Sequence, residues 1–214
     1  MRVMFGSRGC ARDAGWLLHE SHPDARLDAF VAADGAAEIG TRIGDVTIIS
    51  ERDCFERWGE HGIDIYLGIG TSALRRAIRN KCRHALPAGR YPSLVHPSVR
   101  FDRRDGATRI GEGAMICAGS TLTTEVTVGD FAHINLHCTV AHCAEIGAFA
   151  TLSPGCHVSG GVHIGEACFL GAGVVVAENV RIAAGAIIGA GATVVRDIDT
   201  AGTYVGTPAR LMQR

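Results

Sequence analysis

Residues 111–194 read GEGAMI CAGSTL TTEVTV GDFAHI NLHCTV AHCAEI GAFATL SPGCHV SGGVHI GEACFL GAGVVV AENVRI AAGAII GAGATV. With Ile110 included, every sixth residue from 110 to 194 is Ile, Leu or Val, fifteen in succession without an insertion. The position two before each aliphatic is small or β-branched, as at Ala114, Ser120, Val126, Ala132 and Cys138. Residues two apart on an extended segment face the same side, so each hexad supplies one large and one small inward side chain. Glycine recurs just after the aliphatic, as at Gly111, Gly129 and Gly147, and again two residues later, as at Gly113, Gly155 and Gly173. Those positions predict corners, where the chain turns and a Cβ is unwelcome. Three short sides joined by corners close a triangular coil of 18 residues, and residues 110–199 hold five coils. Stacked at the strand spacing of about 4.8 Å, they predict a parallel β-helix roughly 24 Å tall, whose hand the spacing does not set.

The composition fits two domains. Of 214 residues 28 are Gly, 6% are aromatic and 47% hydrophobic, too apolar for a disordered chain and too long for a disulfide miniprotein. Fourteen of the glycines but only 10 of the 43 charged residues lie between 110 and 199, so the chain changes character near residue 94. Domains of 1–93 and 94–214 are expected. The formal net charge is -1, and Lys81 is the single lysine, so no basic field exists to hold nucleic acid or an anionic membrane. The start lacks the apolar core of a signal peptide, and no apolar stretch nears the roughly 20 residues of a membrane span; a cytoplasmic protein is expected. The eight cysteines form no CxxC, which argues against a zinc knuckle. Cys138, Cys156 and Cys168 fall on the small inward slot and are expected to pack, whereas Cys117 and Cys143 lie elsewhere in the hexad.

The first 93 residues alternate strand and helix patterns. Strands are expected over 2–5, 27–32, 46–49 and 63–69, and helices after Gly9, with Trp16, Leu17 and Leu18, over 51–58 and over 74–82. That alternation implies a small parallel α/β sheet. Gly6-Ser7-Arg8-Gly9 sits between the first strand and its helix, where backbone amides and a helix N-terminus receive phosphate. The spacing is GxxG and not GxGxxG, so a nucleotide site and a plain tight turn both remain open. Gly68-Ile69-Gly70-Thr71 is a second strand end at the same edge, and a crevice there suits a nucleotide diphosphate, with Arg8, Arg75 or Arg76 as counter-charges.

Acyl transfer from a thioester needs a base, an oxyanion donor and a groove for the carrier. The repeat places His133, His137, His142, His157 and His163 outward. With an 18-residue rung, His137 lies under Gly155 and Gly173, His142 lies between Thr124 and Gly160, and Asn135 lies under Ser153 and Gly171. The bare glycines above the two histidines are expected to leave room for a substrate.

The segment from Ile134 to Gly147, with Asn135, His137 and His142, followed by Leu152-Ser153-Pro154-Gly155, resembles the sialic acid O-acetyltransferase and bacterial nucleotide-sugar N-acetyltransferase family. The N-terminal stretch Gly6 to Leu18, with Arg12-Asp13, and the closing Gly206-Thr207-Pro208-Ala209-Arg210 are similar to that family's as well. The resemblance implies a small Rossmann-like domain followed by a left-handed β-helix. It implies His142 as general base and Asn135 as a polar contact in the active site. Gly6, Ser7, Arg8, Gly9, Arg75 and His137 would hold the nucleotide-linked sugar, and Gly155, Gly160, Gly173 and Arg196 the acetyl-CoA co-substrate. It also implies a homotrimer with acetyl-CoA between neighbouring subunits and no metal. Two positions depart from the family pattern: Cys143 stands where an acidic residue orients the base, and Thr151 where a histidine linked with CoA binding is expected. Glu145, or a residue of another subunit, is an expected substitute for the missing acid, the alternative being an enzyme tuned to a more acidic amine or a different acyl group.

The reading is therefore an acetyl-CoA-dependent acetyltransferase acting on the amine of a nucleotide-linked amino sugar. Sugar O-acetylation is the near alternative. A zinc carbonic anhydrase of the same fold would use the His137 and His142 spacing, but Phe101 and Gly119 stand where a third ligand would fall. A non-catalytic β-helix scaffold is the remaining alternative, motivated by positions 143 and 151.

Overall fold

The structure, a computed structural model, describes residues 1–212. It divides into two compact units, Met1–Leu94 and the chain from Val95 onward.

In the first unit, β1 (Arg2–Phe5), β2 (Ala29–Ala32), β4 (Val46–Ser50) and β5 (Asp64–Leu67) form a parallel sheet, and β3 (Arg42–Ile43) adds an antiparallel edge, in the order β3-β4-β2-β1-β5. All four residues of β2 are buried, as a parallel strand covered on both faces requires. The helix α1 (Gly9–Ser21) turns Ala11, Ala14, Leu17 and Leu18 inward, one stripe at three- and four-residue spacing, and leaves Trp16 on the solvent side. The helix α2 (Glu51–Trp58) starts at Ser50, whose Oγ accepts from the Asp53 N–H at 3.0 Å and donates to the Asp53 carboxylate at 2.8 Å. The helix α3 (Ser72–Ala85) is longer at both ends than its apolar pattern indicates, and strand β5 is shorter. The strand stops at Gly68 because α1 crosses it closely: a Cβ there would lie 2.5 Å from the Ala11 Cα. Gly6, at φ +115°, faces the Gly68 carbonyl, which a Cβ would meet at 2.6 Å.

The second unit is a three-sided parallel prism. One side runs upward from Thr108–Ile110 to Arg181–Ile182 and another from Thr121–Leu122 to Thr193–Val194. The third runs from Met115–Ile116 through Ile187–Ile188 to Thr203–Val205, where Arg210–Leu211 closes it antiparallel. Pairings such as Ile134 with Leu152 and Leu152 with Leu170 set the rung at 18 residues. The fifteen aliphatics form the core; all are buried to 2% exposure or less apart from Ile110, on the first rung. Each such side chain withdrawn from water contributes about 1.5–3 kcal/mol.

Two regularities go beyond the hydrophobic pattern. Every position three after an aliphatic, from Gly113 to Gly191, has a positive φ. Seven of these carry side chains, among them Glu125, His137, Cys143 and Asn179, so the corner is set by the coil and glycine only eases it. The inward small slot also does more than pack. Ser120 Oγ donates to the Asn135 carbonyl at 2.8 Å, and the thiols of Cys138, Cys156 and Cys168 donate to the carbonyls of Ser153, Gly171 and Ala183 at 3.1–3.3 Å. In each case the partner lies 15 residues on, at a corner. These cysteines are fully buried, and burial pushes the Cys168 thiol up.

Candidate active site

In the first unit the ends of β1 and β5 open into a cleft of about 490 Å³ lined by Gly6, Ser7, Arg8, Cys10, Glu38 and Gly68 through Thr71. Gly9 begins α1 at the lip. The size and position suit a small-molecule site at the carboxyl ends of parallel strands. Arg8 is almost fully exposed, and its Nε is 3.9 Å from the Glu38 carboxylate. Ser7 Oγ donates to Glu38 at 2.8 Å, and this bond holds the Glu38 carboxyl below the usual range. Glu38 was not foreseen: it lies 31 residues from Ser7, and only the return of β2 beside β1 brings it to the loop.

Arg75 corrects the expectation of a counter-charge facing the ligand. It is fully buried, and its Nη1 donates to the carbonyls of Ile69 and Gly70 at 2.6 and 3.2 Å. Burial lowers its pKa to about 10, so it remains a cation at neutral pH. Its bonds brace the Gly68–Thr71 lip from behind.

In the prism, positions 124, 142, 160 and 178 form one column, Thr124, His142, Gly160 and Glu178, since the N–H groups of Cys143, Gly161 and Asn179 donate to the carbonyls of Thr124, His142 and Gly160. The last turn is two residues shorter, with Ile198 paired to Ile182, so the 18-residue rung does not carry to Arg196. The His142 imidazole lies over Gly160, where an added Cβ would sit 2.4 Å from Cε1 and 2.7 Å from Nε2. The clearance expected for a substrate above His142 is therefore filled by the imidazole itself, and Gly160 is a seat for the ring. His137 leans the other way, over Gly119, where a Cβ would meet its Nδ1 at 2.4 Å. That leaves the corner above it bare: Gly155 has only a Gly173 nitrogen at 4.0 Å, and Gly173 has nothing within 4 Å. The two imidazoles point along opposite directions of the stack. Among the described residues, no three His, Cys, Asp or Glu side chains converge on a metal-sized point.

Asn135 is half-buried, and its side-chain nitrogen donates to the Leu152 carbonyl at 3.0 Å, leaving Oδ1 without a bond to other described residues. His133, expected outward, is buried with its rung neighbours Met115 and Thr151. The outer face of this side is covered over those rungs and opens higher up, at Phe169 and Ile187. Arg196 is exposed in the last turn of the prism.

The departures from the family pattern have local consequences. The Cys143 thiol donates to the Glu125 carboxylate at 3.3 Å, and that bond holds the thiol above its usual pKa, as the neutral form. Glu145 does not replace the lost acid: its carboxylate is 2.9 Å from His163 Nδ1, one rung above on another side. An exposed pair of this kind contributes little. Glu145→Gln is therefore expected to change turnover by less than about twofold, measured as steady-state kcat, with no shift in the thermal midpoint beyond that of about 0.5 kcal/mol.

Comparison with known proteins agrees with this architecture. Two overlapping stretches, residues 143–178 and 161–196, match the sequence model described as bacterial transferase hexapeptide (six repeats). No curated protein sequence matches. The solved structure of PerB from Caulobacter crescentus, in complex with CoA and GDP-perosamine, is 30% identical, with a TM-score of 0.88 over 99% of this chain and 97% of that one. The chain belongs to the bacterial nucleotide-sugar N-acetyltransferase family. Solved variants of the Caulobacter perosamine N-acetyltransferase with one histidine changed to Asn or Ala, both in complex with CoA and GDP-perosamine, are 29% identical, with TM-scores of 0.88 over 100% of this chain and 97% of theirs. WeeI from Acinetobacter baumannii is 25% identical, with a TM-score of 0.88 over 99% of each chain.

Proposed function

We propose that the protein transfers the acetyl group of acetyl-CoA to the amine of a nucleotide-linked amino sugar. The observation that carries the reading is His142, an exposed imidazole seated on Gly160 with no hydrogen bond to other described side chains, in a chain 30% identical to an acetyltransferase solved with CoA and GDP-perosamine. The amine nitrogen attacks the thioester carbonyl while His142 takes the amine proton. Collapse of the tetrahedral intermediate then breaks the C–S bond, and CoA leaves as the thiolate and is protonated.

The first unit, residues 1–93, serves as a Rossmann-like nucleotide-sugar domain in this reading. Gly6 through Gly9 offer backbone amides to the diphosphate, Arg8 is the exposed counter-charge, and Arg75 braces the opposite lip. The second, residues 94–214, is the left-handed acyltransferase prism. Asn135 Oδ1 and His137 contact the acceptor, and the bare corner at Gly155 and Gly173 gives room to the thin pantetheine chain. Arg196 supplies a cation for a CoA phosphate. A homotrimer fits the apolar Phe169, Val175 and Ile187 that a lone prism leaves in water. A cytoplasmic location fits both substrates and cysteines that form no disulfide among the described residues.

The test is incubation with acetyl-CoA and GDP-perosamine, and with a panel of other nucleotide-linked amino sugars, following free thiol release and the acetylated product by mass. Acceptor-dependent thiol release with N-acetyl product is expected. Absence of turnover together with absence of CoA binding would leave the scaffold reading.

A further inference from the structure

We infer that Glu178 is the positioning residue for His142, supplying from two rungs above the carboxylate that position 143 lacks. The inference rests on His142 acting as the base. The stacking is direct: the Gly161 N–H donates to the His142 carbonyl, and the Asn179 N–H to the Gly160 carbonyl, both at 2.9 Å. Glu178 thus follows Gly160 in the column on which the imidazole lies. Rungs are about 4.8 Å apart, so a carboxylate on a two-carbon stem reaches the edge of a ring that already spans the gap left by Gly160. A side chain at position 160 would separate the two.

The other acids near the base are committed. Glu125 accepts from the Cys143 thiol, Asp102 holds Arg104, and Glu145 faces His163. Arg104 reaches Thr124 Oγ1 at 3.4 Å, so the side of His142 below the ring is occupied by a cation. Glu178 is exposed and makes no hydrogen bond or ion pair with other described residues, which leaves it as the carboxylate available to accept one ring N–H. In the structure the carboxylate and the imidazole are not bonded to each other; a turn of the exposed Glu178 side chain toward the ring makes that bond, which fixes the tautomer and leaves the lone pair on the other ring nitrogen for the amine proton.

The experiment compares Glu178→Gln and Glu178→Asp with the unchanged protein in two readouts. In steady-state turnover, Glu178→Gln is expected to lower kcat about tenfold with both KM values within about twofold, and Glu178→Asp, which keeps the charge, to recover most of the loss. In the ligand-free protein labelled with ¹⁵N-histidine, the His142 nitrogen pair, assigned by its loss in His142→Asn, is expected to be strongly unequal and to move toward equal tautomer populations in Glu178→Gln. This second readout needs no acceptor, so it stands if the proposed reaction fails. Unchanged nitrogen signals in Glu178→Gln, or a raised acceptor KM with unchanged kcat, would overturn the inference. Full turnover in His142→Asn would instead remove the premise that His142 is the base.

Discussion

His142→Asn is expected to lower kcat by about 10²–10⁴-fold, the range that a positioned general base contributes. The fold should not suffer. The imidazole is exposed and makes no hydrogen bond with other described side chains, so the thermal midpoint is expected to move by no more than a typical surface change, within about 0.5 kcal/mol. KM for acetyl-CoA should be nearly unchanged, because the base acts on the amine and not on the carrier. Such a pattern, a fall in kcat and in kcat/KM together, marks an interaction made chiefly in the transition state. His157→Asn is the matched control: His157 is also an outward histidine of the prism, but its Nδ1 is bonded to Thr139 Oγ1 at 2.9 Å on another column. A loss of the same size in the control would point to general damage to the prism, and retained activity in His142→Asn would refute the assignment of the base.

The prism was legible in the sequence because a repeat converts periodicity directly into position. One six-residue rule places fifteen core side chains, and an 18-residue rung predicts which side chains stack; the pairings of Val140 with Val158 and of Val158 with Val176 follow that rule. Rotamers were not legible. The ladder puts His142 beside Gly160 but does not say that the imidazole occupies the glycine's space, nor that His137 folds downward over Gly119. The rule places His133 outward but does not say that it is buried, since facing outward from the prism is not the same as facing water. In the first unit the pattern gives the order of strands and helices, yet the contacts that matter are long-range. Ser7 meets Glu38 across 31 residues, and Arg75 turns inward although it follows a glycine-rich strand end. An arginine near such a loop reads equally well as a ligand for phosphate or as a brace for backbone carbonyls, and only burial separates the two.

Gly160→Ala tests the geometry of the base without touching its chemistry. Gly160 lies outside the left-handed region, unlike Gly161 beside it, so alanine meets no backbone penalty there. The added Cβ would, however, lie 2.4 Å from His142 Cε1, with Nε2 at 2.7 Å, closer than any real contact. The prism backbone is fixed by bonds above and below, so the imidazole is what yields, rotating off its seat. A displacement of about 1 Å at a reacting group costs about 10²-fold in rate, and kcat is expected to fall by that order. Stability should hold or rise by about 0.4–1 kcal/mol, because alanine restricts the unfolded chain more than glycine does. Loss of turnover with an unchanged or higher melting midpoint separates this from a folding defect. Retained turnover would mean that the reactive imidazole is not the one resting on Gly160, and the column linking His142 to Glu178 would lose its geometric basis.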